Sequence, residues 1–150
     1  MKNPVLNSPT DTMSIIRIAP VCNGKIYVAP RPTDDQASFL LDLPIEEQVE
    51  QFSPKSEKAV RKIKERYSSH LHTSATPRYC VKYRSAQNNG QTVYLYILPL
   101  SQENEISFHH GQFMAAEEIV AQPKRCSANL NKESELLAMA AELWKEFPPL

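Results

Sequence analysis

The strongest local pattern lies near the N-terminus, where two stretches rich in β-branched residues follow each other. Residues 14–22 and 25–29 are separated by Asn23 and Gly24, a pair that tolerates positive φ and is typical of a type I′ turn. The pattern therefore predicts a β-hairpin. Pro20 has no N–H to donate, so we expect a sheet edge or a bulge at that point.

Other segments have the patterns of strands. Residues 78–84 alternate, which predicts Tyr79, Val81 and Tyr83 on one face. Residues 91–98 are apolar on both faces, as a central strand is. The remaining segments predict short strands at residues 39–43 and 111–115, a polar loop at residues 31–36 and an ambiguous acidic stretch at residues 45–52.

Helical spacing of apolar residues predicts a central helix and a C-terminal helix. The central helix covers roughly residues 56–67 and follows Ser53 and Pro54, which suit an N-cap and a first helical position. Its apolar stripe consists of Ala59, Val60, Ile63 and Tyr67. A brief helix is expected at residues 116–120. The C-terminal helix is predicted to start at an Asn131 cap and to direct inward Leu136, Leu137, Ala140, Leu143, Trp144 and Phe147.

Composition and net charge limit the number of domains and the kinds of partner that we expect. The 150 residues are 41% hydrophobic and 23% charged, which suits a single α/β domain at residues 14–150 after a flexible lead at residues 1–13. Seventeen basic residues balance seventeen acidic ones, so no nucleic acid and no anionic membrane are expected as partners. No apolar run approaches the roughly 18 residues of a membrane span.

The cysteine and glycine content argues against further classes of protein. Three widely spaced cysteines predict reduced thiols and a cytoplasmic location rather than a disulfide framework or a zinc site. The chain has only three glycines and neither of the common glycine-rich phosphate-binding motifs. A Rossmann or P-loop nucleotide site is therefore not expected.

The order of these elements, with certain residues in place, resembles the Nudix hydrolase family. Leu41-Asp-Leu-Pro44 looks like the end of the strand that precedes the family's helix, and Ala59-Val-Arg-Lys-Ile-Lys-Glu-Arg66 looks like that helix. Phe113-Met-Ala-Ala-Glu-Glu-Ile119 is similar to a later strand and helix start of the family. The resemblance implies an α/β/α sandwich with a mixed β-sheet.

The family's helix holds Mg²⁺ through glutamates, and this chain departs from that pattern. Arg61 and Glu65 match the motif arginine and one glutamate, whereas Lys62 and Arg66 stand where the other two helix glutamates are expected. An ammonium or a guanidinium has no lone pair to offer a metal ion. We therefore predict no metal site, no cofactor other than Mg²⁺ if catalysis survives, and only a doubtful catalytic role for Glu65.

The same replacement leads to the functional hypothesis. Arg61, Lys62 and Arg66 are candidate phosphate-binding residues of a module for a nucleotide-like or otherwise phosphorylated ligand, or for a protein. A solvated, charged helix face without a ligand is the plainer alternative. A homodimer formed through the tyrosine-rich strand or the C-terminal helix is another. The hydrolase alternative relies on carboxylates elsewhere, at Glu46, Glu47, Glu50, Glu117 or Glu118.

Two further groups of residues invite hypotheses. Four histidines in two pairs suggest zinc, but nothing in the sequence brings the pairs together, so surface histidines are expected at His70, His72, His109 and His110. Four tyrosines on two strands suggest a base-stacking platform. They lack clustered basic partners in the sequence, and sheet packing is therefore the expected role of Tyr79, Tyr83, Tyr94 and Tyr96.

Overall fold

The structure is a computed structural model that describes residues 13–33, 37–50, 57–86 and 90–146, with side chains as far as residue 143. The strands are β1 (Met13–Cys22), β2 (Lys25–Pro32), β3 (Phe39–Asp42), β4 (Ile45–Glu50), β5 (Arg78–Arg84), β6 (Thr92–Leu100) and β7 (Gln112–Ala115). The helices are α1 (Lys58–Arg66), α2 (Ala116–Val120) and α3 (Ala128–Glu146), with short 3-10 turns at Glu103–Glu105 and Pro123–Arg125.

The strands of the described segments form one mixed sheet around β1. Strand β1 runs parallel to β6 from Ser14 to Cys22 and antiparallel to β4 from Met13 to Ile18. At its end it turns into β2, which then leaves β1 to pair with β7 and β3. Strand β5 pairs with β6 at the opposite end of the sheet.

Helices cover both faces of this sheet. On one side, called the α1 face, Val60 and Ile63 of α1 pack against residues such as Ile16. On the other, called the α3 face, Ile119 of α2 and Leu137 of α3 pack against residues such as Val21. Because successive strand residues point to opposite faces, β1 contributes to both cores. The α/β/α arrangement with a mixed sheet is the predicted one.

The predicted hairpin is confirmed. Asn23 and Gly24 have φ values of 52° and 78°, and Cys22 pairs with Lys25 across the turn. Two positive φ values are what a type I′ turn requires, and asparagine and glycine adopt them at low cost. Pro20 lies where β1 pairs with β6 alone, between the residues that pair with β4 and those that pair with β2.

The structure corrects one predicted boundary and assigns a segment that the sequence left ambiguous. Arg31 belongs to β2 rather than to a polar loop, because its backbone pairs with Leu40 of β3. The ambiguous acidic stretch is β4, which the ladder with β1 stabilises. Ser53, Pro54 and Ser56 lie outside the described residues, and α1 begins at Lys58.

The C-terminal helix begins earlier than predicted. Its N-cap is Ser127, whose hydroxyl accepts a hydrogen bond from the N–H of Leu130 at 3.0 Å. Asn131 instead lies inside the helix, and its side chain donates to the carbonyl of Pro123. Leu137 is buried as predicted, but Leu143 is 56% exposed. The side chain of Trp144 and the whole of Phe147 lie outside the described part of the chain.

The prediction for β5 also requires a correction. Tyr79 pairs with Tyr96 but Val81 pairs with Leu95, because a register shift falls between them. Tyr96 and Leu95 are neighbours and point to opposite faces, so Tyr79 lies on the α1 face while Val81 and Tyr83 lie on the α3 face. A bulge of this kind leaves the alternation in the sequence unchanged, which is why the pattern did not show it.

Two smaller predictions concern cysteines and membranes. Cys22, Cys80 and Cys126 are all free thiols, as expected. In the described segments, no helix is both long enough and apolar enough to cross a membrane.

Candidate functional site

A groove on the α1 face contains the residues on which the functional hypothesis depends. Val60 and Ile63 of α1 pack against the sheet and fix the orientation of the helix. The stripe of residues next to them on the helix, spaced four apart, then faces β4. The groove has a volume of about 280 Å³. It is lined by three basic residues and by three apolar residues: Lys58, Lys62, Arg66, Val49, Ala59 and Ile63.

One of these basic residues already has a carboxylate partner. The guanidinium of Arg66 donates to the carboxylate of Glu47 on β4, although Arg66 remains 58% exposed. The hydroxyl of Tyr67 also bonds to Glu47. Burial, and then the charge of Glu47, raise the pKa of Tyr67, so this phenol stays a neutral donor. Glu47 is thus held between two donors at the edge of the groove.

The structure separates the predicted site residues into two groups. Lys62 and Arg66 line the groove together, whereas Arg61 and Glu65 are exposed and are not among its lining residues. The ion pairs of the described residues do not include a contact between Arg61 and Glu65. The candidate anion site therefore consists of one stripe of α1, formed by Lys62 and Arg66 together with Lys58.

A second polar cluster lies on the α3 face and is almost completely buried. Arg17 of β1, which is 0% exposed, donates through Nε and Nη2 to the two carboxylate oxygens of Glu133 at 2.7 and 2.8 Å. Nη2 also donates to Asp42 at 2.6 Å, and Nη1 donates to Glu46 at 2.5 Å. Tyr83 donates to Glu133. One guanidinium thus joins β1, β3, β4 and α3.

The carboxylates of this cluster respond differently to burial. Burial opposes the ionisation of Asp42, but the charge of Arg17 and its hydrogen bond outweigh it and lower the pKa of Asp42. Glu133 is buried still more deeply, so burial raises its pKa even though Arg17 and Tyr83 act in the other direction. Burial and then the charge of Glu133 raise the pKa of Tyr83 well above its usual range.

Arg31 connects the buried cluster to the surface. It is one-third exposed and donates to Asp42 at 3.2 Å, with Glu46 a further 3.6 Å contact. The sequence prediction missed Arg17, Asp42 and Glu133 as an interacting set. A charged residue inside the apolar run of β1 was the available signal, since such a residue is seldom buried without a partner. Its partners come from distant segments and were not visible.

Three of the five carboxylates considered for an alternative metal site are engaged in other contacts. Glu46 is bonded to Arg17, and Glu47 to Arg66. Glu118 accepts the N–H of Ala115 at the start of α2. Within the described residues, no group of three or more His, Cys, Asp or Glu side chains is arranged to hold a metal ion. The groove offers Mg²⁺ ammonium and guanidinium groups, which do not fit a cation.

His72, His109 and His110 are exposed, as expected, but the structure brings the two histidine segments together, which the sequence did not show. The segments around His70 and Ser107 are joined by backbone hydrogen bonds, and His72 Nε2 lies 2.9 Å from Ser107 Oγ. The ring of His70 stacks on Phe108 at 4.9 Å and lies 6.1 Å from the ring of His109. The two histidine segments lie side by side because an isolated β-bridge pairs Leu71 with Ile106. These residues are far apart in the sequence.

Comparison with known proteins identifies the fold. No known protein-family pattern and no curated protein matches the sequence. Among solved structures, the Nudix domain of Shewanella oneidensis NrtR in complex with ADP ribose is similar with a TM-score of 0.59 and 11% identity, over 93% of this chain and 94% of that chain. The MutT protein of Methanosarcina mazei has a TM-score of 0.54 and 12% identity, over 86% and 94%.

A further similar structure is the C-terminal domain of mouse MUTYH, solved in complex with human PCNA. Its TM-score is 0.59 and its identity 13%, over 87% of this chain and 89% of that chain. Sequence identities this low establish the fold alone. The chain has the Nudix fold.

Proposed function

We propose that this Nudix-fold chain is a binding module for a phosphorylated, nucleotide-like ligand and lacks Mg²⁺-dependent diphosphate hydrolysis. The observation that carries the proposal is the stripe of Lys58, Lys62 and Arg66 along the groove. Ammonium and guanidinium groups donate charge-assisted hydrogen bonds to phosphate oxygens without a metal ion. The apolar side of the groove, at Val49 and Ile63, suits a less polar part of the ligand.

The contacts of the carboxylates favour binding over hydrolysis. The alternative hypothesis draws on five carboxylates, and two of them, Glu46 and Glu47, are engaged by arginines. Freeing Glu46 would leave Arg17 with one fewer partner in the buried cluster. Glu65, the matching helix glutamate, is exposed away from the groove-lining residues. We therefore assign Glu65 no catalytic role.

The similar structures suggest suitable probes. The NrtR domain was solved with ADP ribose, so we propose this diphosphate compound as the first ligand to examine. The MUTYH domain was solved with a protein partner. The protein-binding alternative has its best support on α3, where exposed Met139 and Leu143 border a groove of about 430 Å³. We expect either ligand to be met in the cytoplasm.

Calorimetric titration with ADP ribose and with pyrophosphate, in the presence of EDTA, tests the proposal. We expect binding without metal, and we expect Lys62→Ala to weaken it about three- to tenfold, the loss of one partly exposed charge-assisted contact. Arg61→Ala is the matched control, since it removes one exposed positive charge from the same helix outside the groove. It should change the affinity by less than about twofold.

Two results would contradict the proposal. One is equal weakening by Lys62→Ala and Arg61→Ala, which would assign the effect to net helix charge rather than to the groove. The other is turnover of nucleoside diphosphates or triphosphates or of sugar nucleotides with Mg²⁺ or Mn²⁺ that disappears in Glu65→Gln. Turnover of that kind would restore the hydrolase alternative.

A further inference from the structure

The register of β5 gathers aromatic and basic side chains on one face of the sheet. Tyr79 pairs with Tyr96, Lys82 with Tyr94 and Arg84 with Thr92. Because these partners alternate along β6, all the side chains of the three pairs point to the α1 face. The bulge between Tyr79 and Val81 is responsible, since it moves Tyr79 to the face that Lys82 and Arg84 occupy. The structure therefore places basic side chains beside the tyrosines, which the sequence pattern did not show.

The tyrosines form a supported platform at the end of the sheet. Tyr79 is 45% exposed, and its ring centroid lies 5.6 Å from that of Tyr96 and 6.4 Å from that of Tyr94. The buried Tyr96 and the half-buried Tyr94 thus hold one side of the Tyr79 ring and leave part of it in contact with solvent. Burial raises the pKa of Tyr79, so its hydroxyl stays neutral and does not repel an anion.

Two exposed cations follow the platform along β5. Lys82 and Arg84 are two residues apart, so their Cα atoms are separated by about 7 Å on the same face. Arg84 Nη1 donates to the carbonyl of Gly90 at 2.9 Å, which fixes the guanidinium at the end of the strand.

We propose that Tyr79, Tyr94, Lys82 and Arg84 form a binding surface for a short single strand of nucleic acid. A base stacks on the exposed ring of Tyr79, and the adjoining phosphates lie on Lys82 and Arg84. Stacking on aromatic side chains combined with cations along the backbone is the usual basis of binding to single strands. A duplex keeps its bases stacked inside and cannot use Tyr79. An acidic peptide would use the cations but gain nothing from the stacking.

The zero net charge of the chain is compatible with this surface, because steering depends on the local arrangement of charge. The surface lies on different strands from the groove between α1 and β4. The proposal is therefore independent of the proposed ligand of that groove, and the two can fail separately.

Fluorescence anisotropy with labelled single strands of about a dozen nucleotides, oligo(U) and oligo(dT), tests the surface at low salt. We expect Tyr79→Ala to weaken binding at least about fivefold and Tyr79→Phe to retain it, since the ring rather than the hydroxyl stacks. Lys82→Ala should weaken binding and reduce the slope of log K against log salt by about 0.7. Lys25→Ala, at the exposed end of the β1–β2 hairpin, is the matched control and should have no effect.

Several results would overturn the proposal. These are the absence of any anisotropy change, binding that Tyr79→Ala leaves intact, and a duplex that binds as tightly as the single strands. Equal competition by poly-glutamate, together with no effect of Tyr79→Ala, would assign the surface to an acidic peptide. Retention of binding in Lys62→Ala would support a site separate from the groove. Preference for oligo(U) over oligo(dT) would identify RNA as the strand.

Discussion

The two faces of the sheet use the same chemistry, arginine with carboxylates, in opposite surroundings. On the α3 face, Arg17 is 0% exposed and donates to three carboxylates. On the α1 face, Arg66 is 58% exposed, and Glu47 is the carboxylate it bonds to among the described residues. The first arrangement joins four elements of the fold, whereas the second joins a helix and a strand at the edge of an open groove.

The difference in surroundings decides what each arginine can do. Two unit charges 4 Å apart interact by about 1 kcal/mol in bulk water and by about 4 kcal/mol at the effective dielectric of a protein surface. Water and salt weaken the exposed pair of Arg66 and Glu47, so the proposed phosphate ligand would have to displace only a weak partner. Arg17 cannot exchange a partner without leaving a buried charge uncompensated. Position in the fold, more than residue type, therefore separates a structural cation from one that solutes can reach.

Removing Arg17 should have the largest effect. We expect Arg17→Met to lower the free energy of unfolding by about 3–5 kcal/mol, because Glu133 and Asp42 would remain buried without their main cation. Urea denaturation followed by circular dichroism measures this. If Arg17→Met does not fold, Arg17→Lys serves as the second variant. It keeps the charge but loses the bidentate contact with Glu133, and we expect a smaller loss.

The exposed counterpart provides the control for this comparison. Arg66→Met should lower the free energy of unfolding by no more than about 1 kcal/mol, as for other exposed pairs. Adding Glu133→Leu to Arg17→Met should recover part of the lost stability, because it removes one of the uncompensated charges. Similar losses from Arg17→Met and Arg66→Met would show that burial does not distinguish the two faces.

The pH dependence of stability should reveal opposite signs within the buried cluster. The pKa of Asp42 is lowered on folding, so its contribution is present above its unfolded pKa of about 3.9 and is lost as the pH falls through the folded value. The pKa of Glu133 is raised, so the protonated form is favoured in the folded chain. Stability declines as the pH rises above about 4.3 through the raised value.

Asp42→Asn and Glu133→Gln separate these two contributions. We expect Asp42→Asn to flatten the loss of stability below about pH 4 and Glu133→Gln to flatten the decline above about pH 4.3. Urea midpoints measured across the acid range, with wild type alongside, check both signs. If both variants flatten the same part of the plot of stability against pH, the two pKa values shift in the same direction. The deeper burial of Glu133 then does not distinguish it from Asp42.

Local signals in the sequence predicted most of the fold. The turn at Asn23-Gly24 and the apolar spacing at Val60 and Ile63 depend on neighbours along the chain, and both predictions hold. The bulge that reverses Tyr79 depends on the pairing between β5 and β6. Likewise, the partners of Arg17 are 25 to 116 residues away in the sequence. Contacts of this kind depend on the three-dimensional arrangement and have no local pattern.

For the candidate site, the sequence predicted positions on α1 but not their surroundings. Spacing by four residues identified Lys62 and Arg66 as neighbours on one helix stripe, and both line the groove. It did not show which strand lies opposite, and so Glu47 was considered as a metal ligand rather than as the partner of Arg66. The sequence indicated the charges on α1, and the sheet determines which of them already have a partner.

The role of Glu47 gives the last and smallest expected effect. If this carboxylate competes with the ligand for Arg66, Glu47→Gln should raise the affinity for pyrophosphate about two- to fivefold, the usual range for one exposed ion pair. Glu50→Gln is the matched control, because Glu50 is an exposed carboxylate on the same strand. Both variants remove one negative charge, so a gain common to both reports only the general field around the groove. A gain that is larger for Glu47→Gln, and that shrinks as salt screens exposed charges, would identify the Glu47–Arg66 pair as the contact that a phosphate must displace.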